Sequence, residues 1–430
     1  MATSRDFNDM LNEYLTVDLL KQELIKQVYL FERVNKDDGW KGGTIPIPFE
    51  GQHASSVEFG QLAASNDVSK YKYVRGSISQ SDMTEVWGTL KFEHRDFMEH
   101  DGKINEKSFL RILPNQINDF VTYFKTAAVV NMLSGPHFAK VTVNGTAGGV
   151  LEVDRINRFQ LSQKLVLDDN DSAPLTVYVI AININGGTLG KGSVTVSATR
   201  GGAAADVSAY TVAQAAKCYH PGAQASSFVS VSSQILSAAN GGSANLFGQV
   251  KLDYPFLQAV QVDGSAWTGA TLLKDIFDGY TRRQILGKPS ATLEVCMSYQ
   301  LFGAVLKSIE HSSNTDVYAK GQFNVVPGSR EVGVYGWQKI KIGSVTGDVM
   351  QIVALQEMPD DQVFYIDWSG FTFFSNGMIQ RRTAPDGKQY FEERATTGYS
   401  YLLDHCLFGQ LVCISPWKQA IAHSIPSTVA

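Results

Sequence analysis

Apolar positions change period along this chain, and each change predicts an element. Between residues 16 and 34, Val17, Leu20, Leu24, Val28 and Phe31 recur at helical spacing and form one stripe. Thr16 is placed to cap that helix, and the Gly39–Gly43 stretch ends it. The stripe predicts packing on the chain's own core or, as an arm, on a neighbouring subunit. From residue 43 the period falls to two. TIPIPF alternates, and its Pro46 and Pro48 suit an edge or an isolated ribbon. A polar tract follows, and then EVWGTLKFE, in which Val86, Gly88, Leu90 and Phe92 share one face and Trp87, Thr89, Lys91 and Glu93 the other. Residues 43–97 thus predict a long two-stranded excursion. A hairpin with so little apolar content is marginal alone and must lie on something.

Helical spacing returns over residues 105–134, with Ile117, Phe120, Val121, Phe124, Ala128 and Met132 in one stripe. Pro114 predicts two pieces, itself in the first turn of the second. Gly135 and Pro136 stop the helix. From residue 137 to 264 Gly, Ala, Ser, Thr, Val and Asn dominate, and Lys and Arg become sparse. KVTVNGTAGGVLEV predicts a hairpin, LTVYVIAI and GSVTVSATR predict strands, and TVAQAAKCYHPG predicts a short helix closed by Pro221 and Gly222. Leu273, Ile276, Phe277 and Tyr280 mark the next helix, with Arg282 and Arg283 at its C-terminal end. ATLEVCM is a strand, and Ser298 caps a helix through Ile309. The run from Val325 to Ala422 alternates short strands with Gly, Asp and Pro turns, and its PDG at 385–387 predicts a hairpin between QRR and QYFEER.

Composition narrows the class. The chain has 430 residues, 44% hydrophobic, which is ample for two or three folding units. Its 38 glycines and 13 prolines favour a turn-rich, β-containing architecture. A net charge of −5 argues against a domain that grips nucleic acid tightly. Cys218, Cys296, Cys406 and Cys413 form no CxxC pair and predict reduced thiols. No apolar run reaches the roughly 18–20 residues that span a bilayer, and MATSRDFNDMLNEYL lacks an export pattern, so assembly in a cytoplasm and no membrane partner are expected.

The order of segments resembles the major capsid proteins of tailed double-stranded DNA phages, with their HK97-type fold. GGTIPIPFEG through GTLKFEHRDF looks like that family's E-loop. KSFLRILPNQINDFVTYFKTAAVVNML looks like its spine helix. MPDDQVFYIDWSGFTFF followed by YFEERATTGYSYLLDHCLFGQLVCISP looks like its axial domain and last strands. The likeness covers roughly residues 1–136 and 265–425. It implies an α+β fold with an N-terminal arm (1–42), an E-loop (43–97), a peripheral domain with the spine helix (98–136, resumed at 265–320) and an axial domain with closing strands (321–430). The block at 137–264 departs from the minimal fold and reads as an inserted, mostly β domain.

The resemblance implies a coat subunit that self-assembles as homo-hexamers and homo-pentamers into an icosahedral shell around double-stranded DNA, which it touches weakly and without sequence preference. It further implies a virion location, a separate scaffolding protein, a portal and a decoration protein as partners. Some family members cross-link subunits through Lys and Asn; Lys70 and Lys72 lie in the candidate loop, with no partner motif to match. An encapsulin-like compartment shares the fold and is the alternative; a tail component, adhesin or β-rich hydrolase fits less well.

Catalytic signatures are not found. No GxxxxGK[ST] occurs, and Gly186–Gly190 reads as a turn. Cys218-Tyr219-His220 reads as a surface turn, too few ligands for zinc. His405-Cys406 lies in an apolar strand without an orienting partner. Asp168-Asp169-Asn170-Asp171 lacks the alternation of a calcium loop. Arg381-Arg382 and Glu392-Glu393 are expected to face each other across the PDG hairpin. The chain is therefore expected to be no enzyme, with no catalytic residue, cofactor or metal. Trp40, Phe49, Tyr71, Tyr73 and Trp87 are the candidate intersubunit aromatics, each with ordinary local packing as the other reading.

Overall fold

A computed structural model describes residues 15–50, 73–93, 106–169, 173–184, 191–286, 292–315, 323–325, 331–333, 337–344, 349–384, 387–388, 390–395, 398–426 and 429. The chain divides into two units, one drawn from 1–41, 83–129 and 373–410, the other from 42–82, 130–372 and 411–430. The fold is α+β, as expected.

In the first unit the Gly398–Cys413 strand organises a six-stranded sheet. Thr84–Glu93 pairs antiparallel along it, Ser400 opposite Glu93 through Gly409 opposite Thr84. Ile379–Arg381 and Phe391–Ala395 also pair with this central strand, at 405–407 and 398–402. Pro385 and Asp386 of the PDG signal lie outside the described residues; the Gly387 N–H donates to the Ala384 carbonyl at 2.9 Å, and the strands on either side bond to the central strand and not to each other. The expected Arg381–Glu392 ladder is therefore absent. Glu392 pairs with Lys388 and Glu393 with Lys91, both at 3.1 Å.

The first helix forms with a break. Val17–Gln27 is capped by Thr16, whose Oγ1 accepts the Leu19 N–H at 3.1 Å. Val28 is extended, and Tyr29–Arg33 resumes as a second short helix. Leu20, Val28 and Phe31 are buried, and Phe31 meets Phe373 edge-on at 5.4 Å. This stripe packs within its own unit.

Glu106–Ser134 is one continuous helix of 29 residues, not two pieces. Pro114 lies in its ninth position, on the exposed side, where a carbonyl that loses its partner can reach water. Phe120 and Phe124 stack at 5.2 Å, and both press on Gly88 of the Thr84–Glu93 strand. The alternation read from EVWGTLKFE holds: Gly88, Leu90 and Phe92 are buried while Glu85, Trp87, Thr89 and Lys91 are exposed.

In the second unit Ile45–Glu50 pairs with Tyr73–Ile78, from the tract read as polar, and not with the expected EVWGTLKFE: Ile45 lies opposite Ile78 and Glu50 opposite Tyr73. Thr84–Glu93 is not part of this ribbon, so the excursion divides between two sheets. The ribbon rests on its own chain. Ser77 N–H donates to the Phe247 carbonyl at 3.1 Å and Gln249 Nε2 to the Arg75 carbonyl at 2.9 Å.

Residues 137–219 close into a six-stranded barrel. Period-two burial builds it: Leu165 and Leu167, Val177 and Val179, Val194 and Val196 all point into one core. Cys218 belongs to that core. It lies on the strand Lys217–Tyr219, so the expected short helix and surface turn are both replaced by a buried strand, because Ala216 and Cys218 fill inward positions. Tyr219 pairs with His137, placing the last strand's exit beside the first strand's entry. Gly135 at φ +116° stands beside Pro136, and Gly222 at φ +83° beside Pro221.

The remainder of the 137–264 block is not barrel. Gln234, on the short helix Val231–Ile235, donates to the Leu411 carbonyl and accepts the Cys413 N–H, each at 2.7 Å. Val260–Asp263 pairs in parallel with Ala420–His423. That pair opens an eight-stranded sheet among the described residues, continuing through Val363–Ile366, Glu294–Met297, Val349–Leu355 and Trp337–Ser344. The helices Leu272–Leu286 and Tyr299–Thr315 contribute Leu273, Ile276, Leu301 and Val305 to the core on one face of this sheet. Ser298 caps the second of them as expected, its Oγ accepting the Leu301 N–H at 3.4 Å.

Candidate functional site

The structure separates the five candidate aromatics. Trp40 is buried, its N–H bonded to the Ser375 carbonyl and its ring 5.1 Å from Phe408. Phe49 is fully buried over Gly76, where any side chain would collide with its ring. Local packing accounts for both. Tyr73 closes the ribbon opposite Glu50, and Tyr71, like Lys70 and Lys72, lies outside the described residues.

Trp87 differs. It stands 51% exposed on the outer row of the Thr84–Glu93 strand. Its Nε1 donates to Glu85 at 3.1 Å, Thr89 donates to Asp404 at 2.7 Å, and Lys91 reaches Glu393. Trp87 is thus a large exposed aromatic held by a side-chain bond, with one hydroxyl–carboxylate bond and one ion pair along the same row.

A second locality was not read from the sequence. The signal available in the sequence is Arg155 and Arg158 themselves, two cations three residues apart in a stretch poor in Lys and Arg. Both are buried. They line a cleft of about 270 Å³ with His137, Lys140, Lys191 and Asp361, between the barrel and the 356–361 turn. Arg155 donates to the Met358 carbonyl at 2.8 Å and pairs with Asp360 at 2.6 Å. Lys140 Nζ reaches Asp361 at 3.5 Å, and its N–H donates to Asp154 at 2.7 Å. Burial raises the Asp154 carboxyl above its usual range.

Burial, reinforced by Lys140, Lys217 and Arg158, drives the His137 imidazole down to about 3. His220 falls to about 4 from burial and Arg158. Both imidazoles stay neutral when folded, whereas the unfolded chain protonates them near pH 6.5. Their contribution to stability is thus complete above about pH 6.5 and is lost as pH falls toward 4, with a slope of up to ~2.7 kcal/mol per pH unit for two protons. Denaturant midpoints measured from pH 7 to 4 should fall accordingly, and His137→Gln should flatten the dependence. An unchanged pH profile in that variant would refute the assignment.

No family model matches the chain, and no curated protein does. Solved structures are similar to it in layout at low identity. The cyanophage A-1(L) capsid asymmetric unit aligns over 99% of this chain and 95% of that chain, at 11% identity and a TM-score of 0.43. The capsid of a native GTA particle aligns over 92% and 90%, at 10% identity and 0.42. A virus-like particle from Pyrococcus furiosus aligns over 94% and 96%, at 7% identity and 0.38.

Proposed function

We propose that this chain is the major coat subunit of an icosahedral shell of the tailed-phage, HK97-fold type, assembling as hexamers and pentamers around double-stranded DNA. One observation carries the reading. A paired ribbon at 45–78, a ten-residue strand and a 29-residue helix follow one another along a single chain. These are the segments whose sequence resembles the E-loop and the spine helix of that family. At 1.5 Å per residue the helix is a rod of about 43 Å, a stiff element around which contacts repeat from copy to copy.

The mechanism is geometric. The ribbon's base is held by residues 247 and 249, and its sequence likeness to an E-loop supports giving this excursion the contact with a neighbouring subunit. Trp87 supplies a further anchor. Each contact is modest, but closure of the shell makes every subunit hold several neighbours at once, and multivalency converts weak contacts into a stable particle. A scaffolding protein, a portal and a decoration protein are the accompanying partners, the role is structural, and the location is the virion.

Expression with the scaffolding protein should give hollow shells in negative-stain images; a monomer that persists at micromolar concentration with scaffold supplied would refute the reading. Replacing 52–70 by an Asn-Gly turn keeps the ribbon's strands. That variant should retain its circular dichroism and melting temperature while the yield of sedimenting shells falls at least tenfold. Full shell yield would show that the segment is no clasp.

A further inference from the structure

His405 lies on the Gly398–Cys413 strand, opposite Arg381 of the Ile379–Arg381 strand, and its side chain is fully buried. Arg381 Nε donates to His405 Nε2 at 3.0 Å. The same guanidinium donates through Nη2 to the Leu15 carbonyl. Leu15 is itself buried and stands just ahead of the Val17–Gln27 helix. Imidazole, guanidinium and carbonyl thus form a chain from the sheet to the start of that helix. A guanidinium only donates, so the bond to Nε2 requires a lone pair there and places the ring's proton on Nδ1.

The surroundings give the ring no counter-charge. Phe120 of the Glu106–Ser134 helix meets it edge-on at 5.5 Å, and Gly88 stands opposite on the Thr84–Glu93 strand. The Phe371–Phe374 strand carries no titratable side chain. Asp404 and Cys406 alternate to the other face of their own strand, where Asp404 accepts from Thr89 beside Glu85 and Lys91. On the Val17–Gln27 helix Lys21 turns to Asp38 at 2.5 Å, and Asp18 is exposed. Among the described residues Arg381 is the one charge that acts on the ring; burial drives the imidazole down to about 3, with Arg381 adding to the effect.

We infer that His405 and Arg381 form an acid-released latch on the segment that begins at Leu15. Proton uptake turns Nε2 into a donor. Arg381 then loses its acceptor and faces a second cation at close range in a buried site, where such repulsion is least screened. Withdrawal of the guanidinium gives up the Leu15 carbonyl. The Lys21–Asp38 pair, and the bond from Ser375 to Asp38 at 2.5 Å, tie the segment further along and contain no group that ordinarily titrates between pH 7 and 5. Acid therefore loosens the Leu15 end first. A released imidazole takes up its proton near pH 6.5 and a latched one near 3, so between these values each pH unit shifts the balance about tenfold toward release. The latch works within one copy of the chain and does not depend on the coat-subunit reading.

Hydrogen exchange on the full chain, corrected for the intrinsic pH dependence of exchange, tests the latch. From pH 6.5 to 4.5 the protection of amides in 16–27 should fall about a hundredfold, while amides in 86–92 keep theirs. His405→Gln retains an acceptor for Arg381 without a titrating ring, and should hold the protection of 16–27 constant over that range. Arg381→Met removes the bond to Leu15 and should show the released exchange already at pH 7. Where a variant does not fold, the ring nitrogen shifts of His405 in the parent chain decide. Nε2 should be unprotonated at pH 7 and gain its proton with the same midpoint as the loss of protection. Equal loss of protection in His405→Gln, loss only together with the sheet, or a protonated Nε2 at pH 7 would overturn the latch.

Discussion

Glu294→Ala should lower the stability of the folded chain by about 3–5 kcal/mol, the usual cost of removing one member of a buried ion pair. Glu294 is 4% exposed on the eight-stranded sheet. Its Oε1 accepts from Lys339 Nζ at 3.4 Å and from Gln351 Nε2 at 2.5 Å, and its Oε2 accepts from the Trp368 indole at 2.9 Å. The parallel register sets Gln351 beside Glu294, and the antiparallel pairing of the next strand brings in Lys339. Alanine leaves a buried ammonium, an indole N–H and an amide without their shared acceptor. The loss comes mainly from these stranded donors, so Glu294→Leu combined with Lys339→Met should recover much of it. Denaturant unfolding of the singles and the double variant measures the coupling. A single-variant loss under 1 kcal/mol would show that the network contributes little.

Gly88→Val should be the most disruptive change in the other unit, costing about 1–3 kcal/mol or more by overpacking. A Cβ at Gly88 would stand 2.6 Å from Phe120 and 2.7 Å from Phe124. The two rings stack on each other, and Phe120 also meets His405 edge-on at 5.5 Å, so neither is free to yield. Phe120→Leu should partly rescue Gly88→Ala by removing the nearer ring. Melting curves of the pair decide this. Full stability in Gly88→Val would mean that helix and strand have room the geometry denies.

What the sequence disclosed follows from local physics. Period-two burial in LTVYVIAI and GSVTVS, the stripe from Ile117 to Met132 and the Ser298 cap are each set by neighbours within a few residues, and each is found. Pairing partners were less legible. The strands on either side of the PDG signal bond to Gly398–Cys413 and not to each other, because a sixteen-residue central strand offers a longer ladder than a short hairpin. The Lys217–Tyr219 strand reads as helix from AQAAK, whose helix propensity loses to the burial of Cys218 in the barrel. Of the aromatics, Trp40 shares its residue type with Trp87 and only burial separates the two, as burial also sets Phe49 apart. The charged cleft draws on residues more than two hundred positions apart, such as Lys140 and Asp361, and no window on the sequence joins them.

The pairing of Tyr219 with His137 brings the beginning and end of the barrel within one strand spacing of each other. A segment whose two ends meet in this way leaves and re-enters the rest of the chain at one place. A splice of a few residues would span the gap between those two ends.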